Sequence, residues 1–248
     1  MPRPRYHCLR VLRRLPHPGR GFTQGLIADG ETVWESTGLY GESALCRYRL
    51  GNDRPDARAL LPPGLFGEGI CLAGDHLWQL TWQERVALRW DTRAMTYTEM
   101  PYDREGWGIC AAGRSVITSD GTSELVVRDP GTLAPRRVVM VGYDGDPVQG
   151  LNDLAWSGGL VWANVAGTAC LAGIDLATGE VTDVVDARAA AERHWADQQA
   201  IMNGIAALAQ PDEFLLTGKG WRFLHHVTLI PGRARGPAAG LLAGHDTG

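Results

Sequence analysis

The chain repeats one short unit five times, and this repetition limits its fold more than any other feature does. Each copy is a short apolar strand, a turn and a second apolar strand. The copies begin at Gly25, Gly69, Gly108, Asp153 and Gly204, so their starts are separated by 44, 39, 45 and 51 residues. A period of about 40–45 residues is typical of a four-stranded propeller blade.

A second pattern follows each copy and has the form of an outer hairpin. Examples are Leu125-VVRDPGTL and Leu171-AGIDLATG, in which a strand leads into a turn rich in Asp, Thr and Gly. β-rich strands dominate elsewhere, and the convincing helical pattern is confined to Ala187–Gln199. We therefore predict an all-β fold, a five-bladed β-propeller with a short helical insertion between the fourth and fifth repeat units.

A single propeller domain accounts for residues 1–248. Residues 1–15 form a basic N-terminal arm, and its strand from Tyr6 to Leu15 is predicted to complete the last blade, because closure protects strand edges. The insertion occupies residues 187–199, and residues 232–248 are predicted to be a flexible C-terminal tail.

Charge and composition narrow the possible partners. A net charge of −4 gives no electrostatic footprint for nucleic acid, although the first twenty residues hold six arginines and no acid. No apolar stretch reaches the roughly 20 residues needed to cross a bilayer, and no secretory signal is recognisable. We expect a cytoplasmic monomer, or a periplasmic or secreted one if the N-terminus is incomplete. Five widely spaced cysteines are predicted to be buried thiols rather than disulfides.

Polar residues stand at equivalent places just before the first strand of each unit, where the blades meet the central channel. They are Gln24, Glu68, Trp107, Asn152 and Asn203. Glu68, flanked by glycines at the mouth of a closed fold, has little reason to be there for packing, so we predict a functional carboxylate. Asn203 precedes a glycine and also fits an ordinary turn residue.

Lys219 is the one lysine among 24 basic residues. Lysine ends in a compact point charge, whereas arginine carries a wide planar fork, so the two do not replace each other in a tight polar pocket. Lys219 is therefore a candidate site residue. The alternative interpretation is that the chain is simply poor in lysine and that this one lysine has no function.

Several of these motifs, taken in order, resemble one known family: the plant and bacterial type of glutaminyl-peptide cyclotransferase, a five-bladed propeller. The resemblance covers nearly all of residues 16 to 229. Its carriers are Phe22-TQGL, Glu35-STGLYGES, Phe66-GEGI, Gln79-LTWQE, Glu105-GWGIC, Leu151-NDLAW, Val161-WANV, Met202-NGIA and Thr217-GKGW.

The resemblance implies an activity and a set of site residues. An N-terminal glutamine of a peptide or protein would be cyclised to pyroglutamate with loss of ammonia. The essential glutamate of the family falls on Glu68 and its lysine on Lys219. Its remaining pocket residues fall on Phe22, Gln24, Phe66, Trp82, Trp107 and Asn152.

These residue types suit that chemistry on physical grounds. Glu68 would accept a proton from the attacking amine and donate it to the departing nitrogen, with a pKa raised by a partly dehydrated pocket and restrained by Lys219. Lys219, Gln24, Asn152 and the Trp107 indole would supply donors to the oxyanion. An apolar box would fold the glutamine side chain back onto its amine. It would consist of Phe22, Phe66, Trp82 and Trp107. Trp34, Trp78, Trp90 and Trp162 are predicted to serve packing instead.

The sequence departs from the family pattern at two places. Ala166 follows Val165 where the family usually carries a tryptophan, and Asp153 stands where a longer acid is usual. Either change would weaken the enzyme, widen its substrate range or be compensated by Trp221 or Arg222.

Two other functions stay open. A propeller without catalytic activity would bind a peptide or sugar in the same pocket, and a lactonase-like hydrolase would hold a metal with carboxylate and asparagine ligands. The cyclisation itself needs neither a metal nor an organic cofactor, and the seven histidines show no ligand spacing, so we expect neither.

Overall fold

A computed structural model describes residues 4–18, 21–190 and 201–232 of the chain, and within these ranges every regular element is a β-strand. The predicted helical insertion overlaps this part only at its start: Ala187 is irregular and residues 188–190 form a turn. Residues 191–199 lie outside the described residues, as does the predicted C-terminal tail beyond Gly232. No helix in the described part is long and apolar enough to cross a membrane.

The strands follow the repeat along the chain. β1 (Arg5–Pro16) comes first. The first sheet contains β2 (Thr23–Asp29), β3 (Thr32–Thr37), β4 (Ala44–Arg49) and β5 (Ala57–Leu60). The second contains β6 (Gly67–Ala73), β7 (His76–Thr81), β8 (Val86–Asp91) and β9 (Thr96–Pro101). The third contains β10 (Ile109–Ala112), β11 (Ser115–Ser119), β12 (Glu124–Arg128) and β13 (Pro135–Met140).

The remaining strands form a small ribbon and one larger sheet. The ribbon pairs β14 (Gly142–Tyr143) with β15 (Asp146–Pro147). The larger sheet has eight strands and includes β1. Its other members are β16 (Leu151–Ser157), β17 (Leu160–Val165), β18 (Cys170–Ile174), β19 (Val181–Asp186), β20 (Met202–Ala207), β21 (Glu213–Gly218) and β22 (Phe223–Pro231).

The eight-stranded sheet divides naturally into two four-stranded halves. Strands β16 to β19 pair antiparallel in order, and β20, β21, β22 and β1 do the same. The halves are joined by a parallel pairing of β1 with β19, in which Tyr6 lies opposite Val184. The N-terminal strand is thus hydrogen-bonded on both sides, which leaves neither β19 nor β22 as a free edge.

The first strand of each four-stranded unit belongs to an inner ring. β2 contacts β6, β6 contacts β10, β10 contacts β16, β16 contacts β20, and β20 contacts β2. A cavity of about 260 Å³ on the ring axis is lined by residues of all five of these strands. Apolar clusters fill the spaces between successive sheets of the described part. The fold is a β-propeller, and the blade number of five stays our interpretation of this ring.

The repeated glycines allow the inner strands to approach closely. A Cβ on Gly69 would lie 2.8 Å from the Cα of Gly108, and one on Gly108 would lie 2.0 Å from the carbonyl oxygen of Asn152. Such separations exclude any side chain, so the glycine of the repeat is a packing requirement.

Other residues predicted to serve packing are indeed inside. The four tryptophans assigned to the core are buried, namely Trp34, Trp78, Trp90 and Trp162. All five cysteines are free thiols; Cys8 is half-buried and the other four are buried.

Candidate active site

β-bulges aim polar side chains at one end of the channel. The pairing register shifts at the start of β2, β6, β16 and β20, between residues 23 and 25, 67 and 70, 151 and 154, and 202 and 205. These stretches contain Gln24, Glu68, Asn152 and Asn203. A bulge turns a side chain out of the normal alternation of a strand, and bulges are common beside active sites. The local irregularity thus explains why these residues converge.

A cavity of about 300 Å³ lies at this end of the channel. Eight of the nine site residues predicted from the sequence line it, and Asn203 lies one hydrogen bond behind. Leu39 also lines the wall and was not predicted, because its unusual backbone is visible only in the structure. The full lining is Phe22, Gln24, Leu39, Phe66, Glu68, Trp82, Trp107, Asn152 and Lys219.

Glu68 is the buried acid of the cavity. Gln24 Nε2 donates a 2.7 Å hydrogen bond to Glu68 Oε1, and Asn203 Nδ2 donates a 2.8 Å bond to Gln24 Oε1. Burial raises the pKa of Glu68 well above its usual range, while the Lys219 ammonium and the Gln24 hydrogen bond pull it down. The carboxyl therefore combines a raised proton affinity with a fixed orientation.

Lys219 lies on the loop after β21 and lines the same cavity as the acid. Its Nζ lies 4.3 Å from the centroid of the Phe22 ring, a cation–π contact. Burial lowers the pKa of Lys219, and the charge of Glu68 raises it again. The loop is fixed by its backbone, since Lys219 N donates to the carbonyl of Ile201 at 2.9 Å.

Aromatic side chains form the walls. The rings of Phe22 and Phe66 meet edge to face at 6.3 Å, and Phe66 lies 5.5 Å from Trp82. Trp221 does not contribute a wall: a Cβ on Gly218 would lie 2.4 Å from its indole, which is buried in the core and stacks edge to face on His225. The compensation by Trp221 considered from the sequence is therefore not what this fold provides.

Two polar atoms of the lining residues are buried without a protein partner. Within the described residues, the indole Nε1 of Trp107 and Oδ1 of Asn152 have no hydrogen-bond partner. Buried polar atoms in native proteins are normally satisfied, so such atoms in a cavity wall fit ligand contacts. They offer one donor and one acceptor to a bound molecule.

Asp153 lies behind the site and is completely buried. Its Oδ2 accepts a 2.8 Å hydrogen bond from the backbone N of Ile205, so it ties β16 to β20. Burial raises the pKa of Asp153 well above its usual range, and its charge also raises the pKa of Glu68. In residues 4–18, 21–190 and 201–232, no three His, Cys, Asp or Glu side chains are grouped as metal ligands.

The fold and the site together define a class: a β-propeller that encloses a buried acid, an ammonium and aromatic walls at one end of its channel. The family model described as glutamine cyclotransferase matches residues 2–229. The chain belongs to this family.

Two relatives agree with this assignment. The chain is 31% identical over 238 residues to a glutaminyl-peptide cyclotransferase of Arabidopsis thaliana, covering 93% of this chain and 74% of the relative. The crystal structure of Myxococcus xanthus glutaminyl cyclase superposes with a TM-score of 0.84 at 31% identity, covering 93% of this chain and 100% of that one.

Proposed function

We propose that this protein is a glutaminyl-peptide cyclotransferase that converts the N-terminal glutamine of peptides and proteins to pyroglutamate and releases ammonia. The observation that carries the proposal is the buried Glu68 carboxyl, held by Gln24 inside an aromatic cavity, in a chain of this family. The names of both relatives support the same reaction.

The reaction requires two proton transfers, and one carboxyl performs both. The α-amine nitrogen of the substrate attacks the δ-carbon of its own side-chain amide, which closes a five-membered ring. Glu68 takes the proton that the amine loses and gives it to the amide nitrogen, which leaves as ammonia when its bond to the δ-carbon breaks. A carboxyl with a raised pKa suits this exchange, because it holds a proton more strongly than an exposed glutamate does.

The tetrahedral intermediate carries a negative oxygen that needs fixed donors. We assign this role to Lys219 Nζ and the Trp107 indole N–H, because Trp107 Nε1 is buried without a partner in the described chain. Asn152 Oδ1, equally free, would accept from the substrate amine and hold it for attack. Asn203 acts through Gln24 and is a positioning residue.

Phe22, Phe66, Trp82 and Trp107 would hold the glutamine side chain in a folded conformation. Bringing the amine and the amide carbon together in advance lowers the entropic part of the barrier.

We further propose that the protein acts as a monomer in a reducing compartment such as the cytoplasm. Its five free thiols support the compartment, and its net charge of −4 argues against nucleic acid as a partner.

The test is ammonia release from a glutaminyl dipeptide amide by the wild type and by Glu68→Gln, with a chelator in both reactions. Glutamine at position 68 still accepts the Gln24 hydrogen bond but cannot shuttle a proton, so we expect activity to vanish while circular dichroism shows a folded protein. Silence of both folded proteins would overturn the proposal in favour of a peptide- or sugar-binding propeller. Loss of wild-type activity to the chelator would favour a metal-dependent hydrolase.

A further inference from the structure

The rim of the cavity carries a leucine in an unusual backbone conformation. Leu39 has a φ of 84°, in the left-handed region that side chains other than glycine rarely adopt. Leu39 lines the cavity, yet it is 38% exposed. Strained residues of this kind persist where the surrounding structure fixes them, and they gather at ligand clamps.

The hydrogen bonds around Leu39 hold it in this conformation. Its carbonyl oxygen accepts from both the backbone N and the Oγ of Ser43, each at 2.8 Å. Ser43 Oγ in turn accepts from Gly67 N at 3.1 Å, next to Glu68. On the other side, Gly38 N donates to the carbonyl of Phe22 at 2.8 Å. The loop is therefore tied to Phe22, just before β2, and to β6, which carries Glu68.

Tyr40 extends the aromatic wall from the cavity to the surface. Its ring meets Phe66 edge to face at 5.4 Å, and the residue is 50% exposed. Its hydroxyl donates a 2.7 Å hydrogen bond to Glu84 Oε1, which raises the pKa of the phenol to about 12. Glu84 Oε2 accepts from Phe66 N at 3.4 Å. Both carboxylate oxygens of Glu84 thus accept hydrogen bonds from residues of this wall. Leu39 and Tyr40 form its apolar rim.

The size of the cavity decides what must lie against this rim. A cavity of about 300 Å³ is at the small end for ligand pockets and suits one residue rather than a dipeptide. The Cα atoms of adjacent residues are about 3.8 Å apart, so the second residue of the substrate must lie at the mouth when the first is inside.

We propose that Leu39 and Tyr40 form the subsite for the second residue of the substrate peptide and that they select apolar and aromatic side chains there. This inference rests on the proposed function. An apolar side chain would cover the exposed parts of Leu39 and Tyr40, whereas glycine leaves both in water. Contacts of this size change kcat/KM by about tenfold.

The experiment measures the ratio of kcat/KM for glutaminyl-phenylalanine amide to that for glutaminyl-glycine amide. We expect a ratio of about ten for the wild type and a clearly lower one for Leu39→Gly, because glycine accepts the φ of 84° and removes one of the two side chains of the subsite. The control is Leu60→Ala, which changes a leucine on β5 that is 60% exposed, and it should keep the wild-type ratio. A wild-type ratio near one, or an unchanged ratio in Leu39→Gly, would overturn the subsite.

Binding separates this inference from the proposed function. If neither peptide is turned over, the same two peptides are titrated against the wild type and Leu39→Gly by calorimetry. Tighter binding of the phenylalanine peptide that is weakened in Leu39→Gly would support the subsite although the activity had failed. Equal binding or no binding would overturn it, and turnover without selection would leave the activity standing alone.

Discussion

At the scale of single residues, Glu68 and Lys219 determine the charge of the site, because each shifts the pKa of the other. The acid is buried, so its ionised form is costly, and the ammonium on the loop after β21 recovers part of that cost. In the reaction proposed above, Glu68 must be ionised to accept the first proton. The lower limb of the pH profile of kcat/KM therefore reports its pKa.

We expect Lys219→Met to move this acid limb to higher pH. Lys219 lowers the pKa of Glu68, so its removal leaves burial unopposed and raises that pKa further. The plateau should also fall, by about 10²-fold if Nζ contacts the oxyanion. Lys219→Arg is the control, because it keeps the charge and should keep the limb in place even where its wider fork reduces the rate. A limb that stays still in Lys219→Met would refute the coupling.

Ala166 stands where the family usually carries a tryptophan, so a substitution there tests whether the absence of that aromatic wall affects the reaction. It follows β17, and its backbone N donates to the carbonyl of Gly150 at 2.8 Å, two residues before Asn152. We predict that Ala166→Trp lowers KM for glutaminyl peptides by about two- to tenfold, the value of one added aromatic contact. Ala177→Trp, on an exposed turn, serves as the control. Unchanged kinetics in Ala166→Trp would show that this wall plays no part.

At the scale of the elements, glycines allow neighbouring inner strands to pack closely. A Cβ on Gly25 would lie 2.7 Å from the backbone N of Ile70, and one on Gly69 would lie 2.9 Å from that of Ile109. In the fourth unit the equivalent residue is Asp153, and its carboxyl accepts from the corresponding N of Ile205. Asp153 therefore fills a wider gap between β16 and β20 with a hydrogen bond.

We expect Asp153→Ala to destabilise the fold and Asp153→Asn to spare it. Alanine leaves the buried N–H of Ile205 without its acceptor, at a cost of about 1–3 kcal/mol. Asparagine keeps an acceptor oxygen. The folded-state pKa of Asp153 is raised, so the wild type loses stability as pH rises above the unfolded value of about 3.9. The advantage of asparagine should grow over that range, as urea unfolding between pH 4 and 8 would show. Equal losses in both variants would refute the hydrogen-bond role.

For the whole molecule, stability depends on closing the ring with the N-terminal strand. β1 lies between β19 and β22, so strands from opposite ends of the chain pair directly. In β1, Leu9 is buried opposite Leu229. Leu12 is 40% exposed and lies at the bulge between Val11 and Arg13.

This arrangement gives a matched pair of proline substitutions. Leu9→Pro removes a ladder hydrogen bond and a buried side chain from an inner position of the closing sheet, whereas Leu12→Pro falls at a bulge, where proline is tolerated. A cost of about 1–3 kcal/mol corresponds to about 2–12 °C for a chain of this size. We expect Leu9→Pro to lower the melting temperature by at least that much and Leu12→Pro to lower it less. Similar melting temperatures would argue against closure through β1.

Much of the site was predictable from residue types and their order. The repeat placed Gln24, Glu68, Asn152 and Asn203 at equivalent positions, and the single lysine pointed to Lys219. Leu39 was not predicted, because a leucine between Gly38 and Tyr40 does not indicate a positive φ. The bulges were missed for a related reason, since a register shift depends on the partner strand.

The sequence by itself determined the all-β propeller and the set of polar residues at its mouth, because strand period, turn chemistry and repeat spacing are local properties of the chain. The tertiary structure decided which of those residues touch. Asn203 and Gln24 are 179 positions apart, and the hydrogen bond between them exists only because the ring closes. Closure also buries Glu68 and half-buries Lys219. That loss of water, which no local pattern encodes, shifts both pKa values toward the neutral forms.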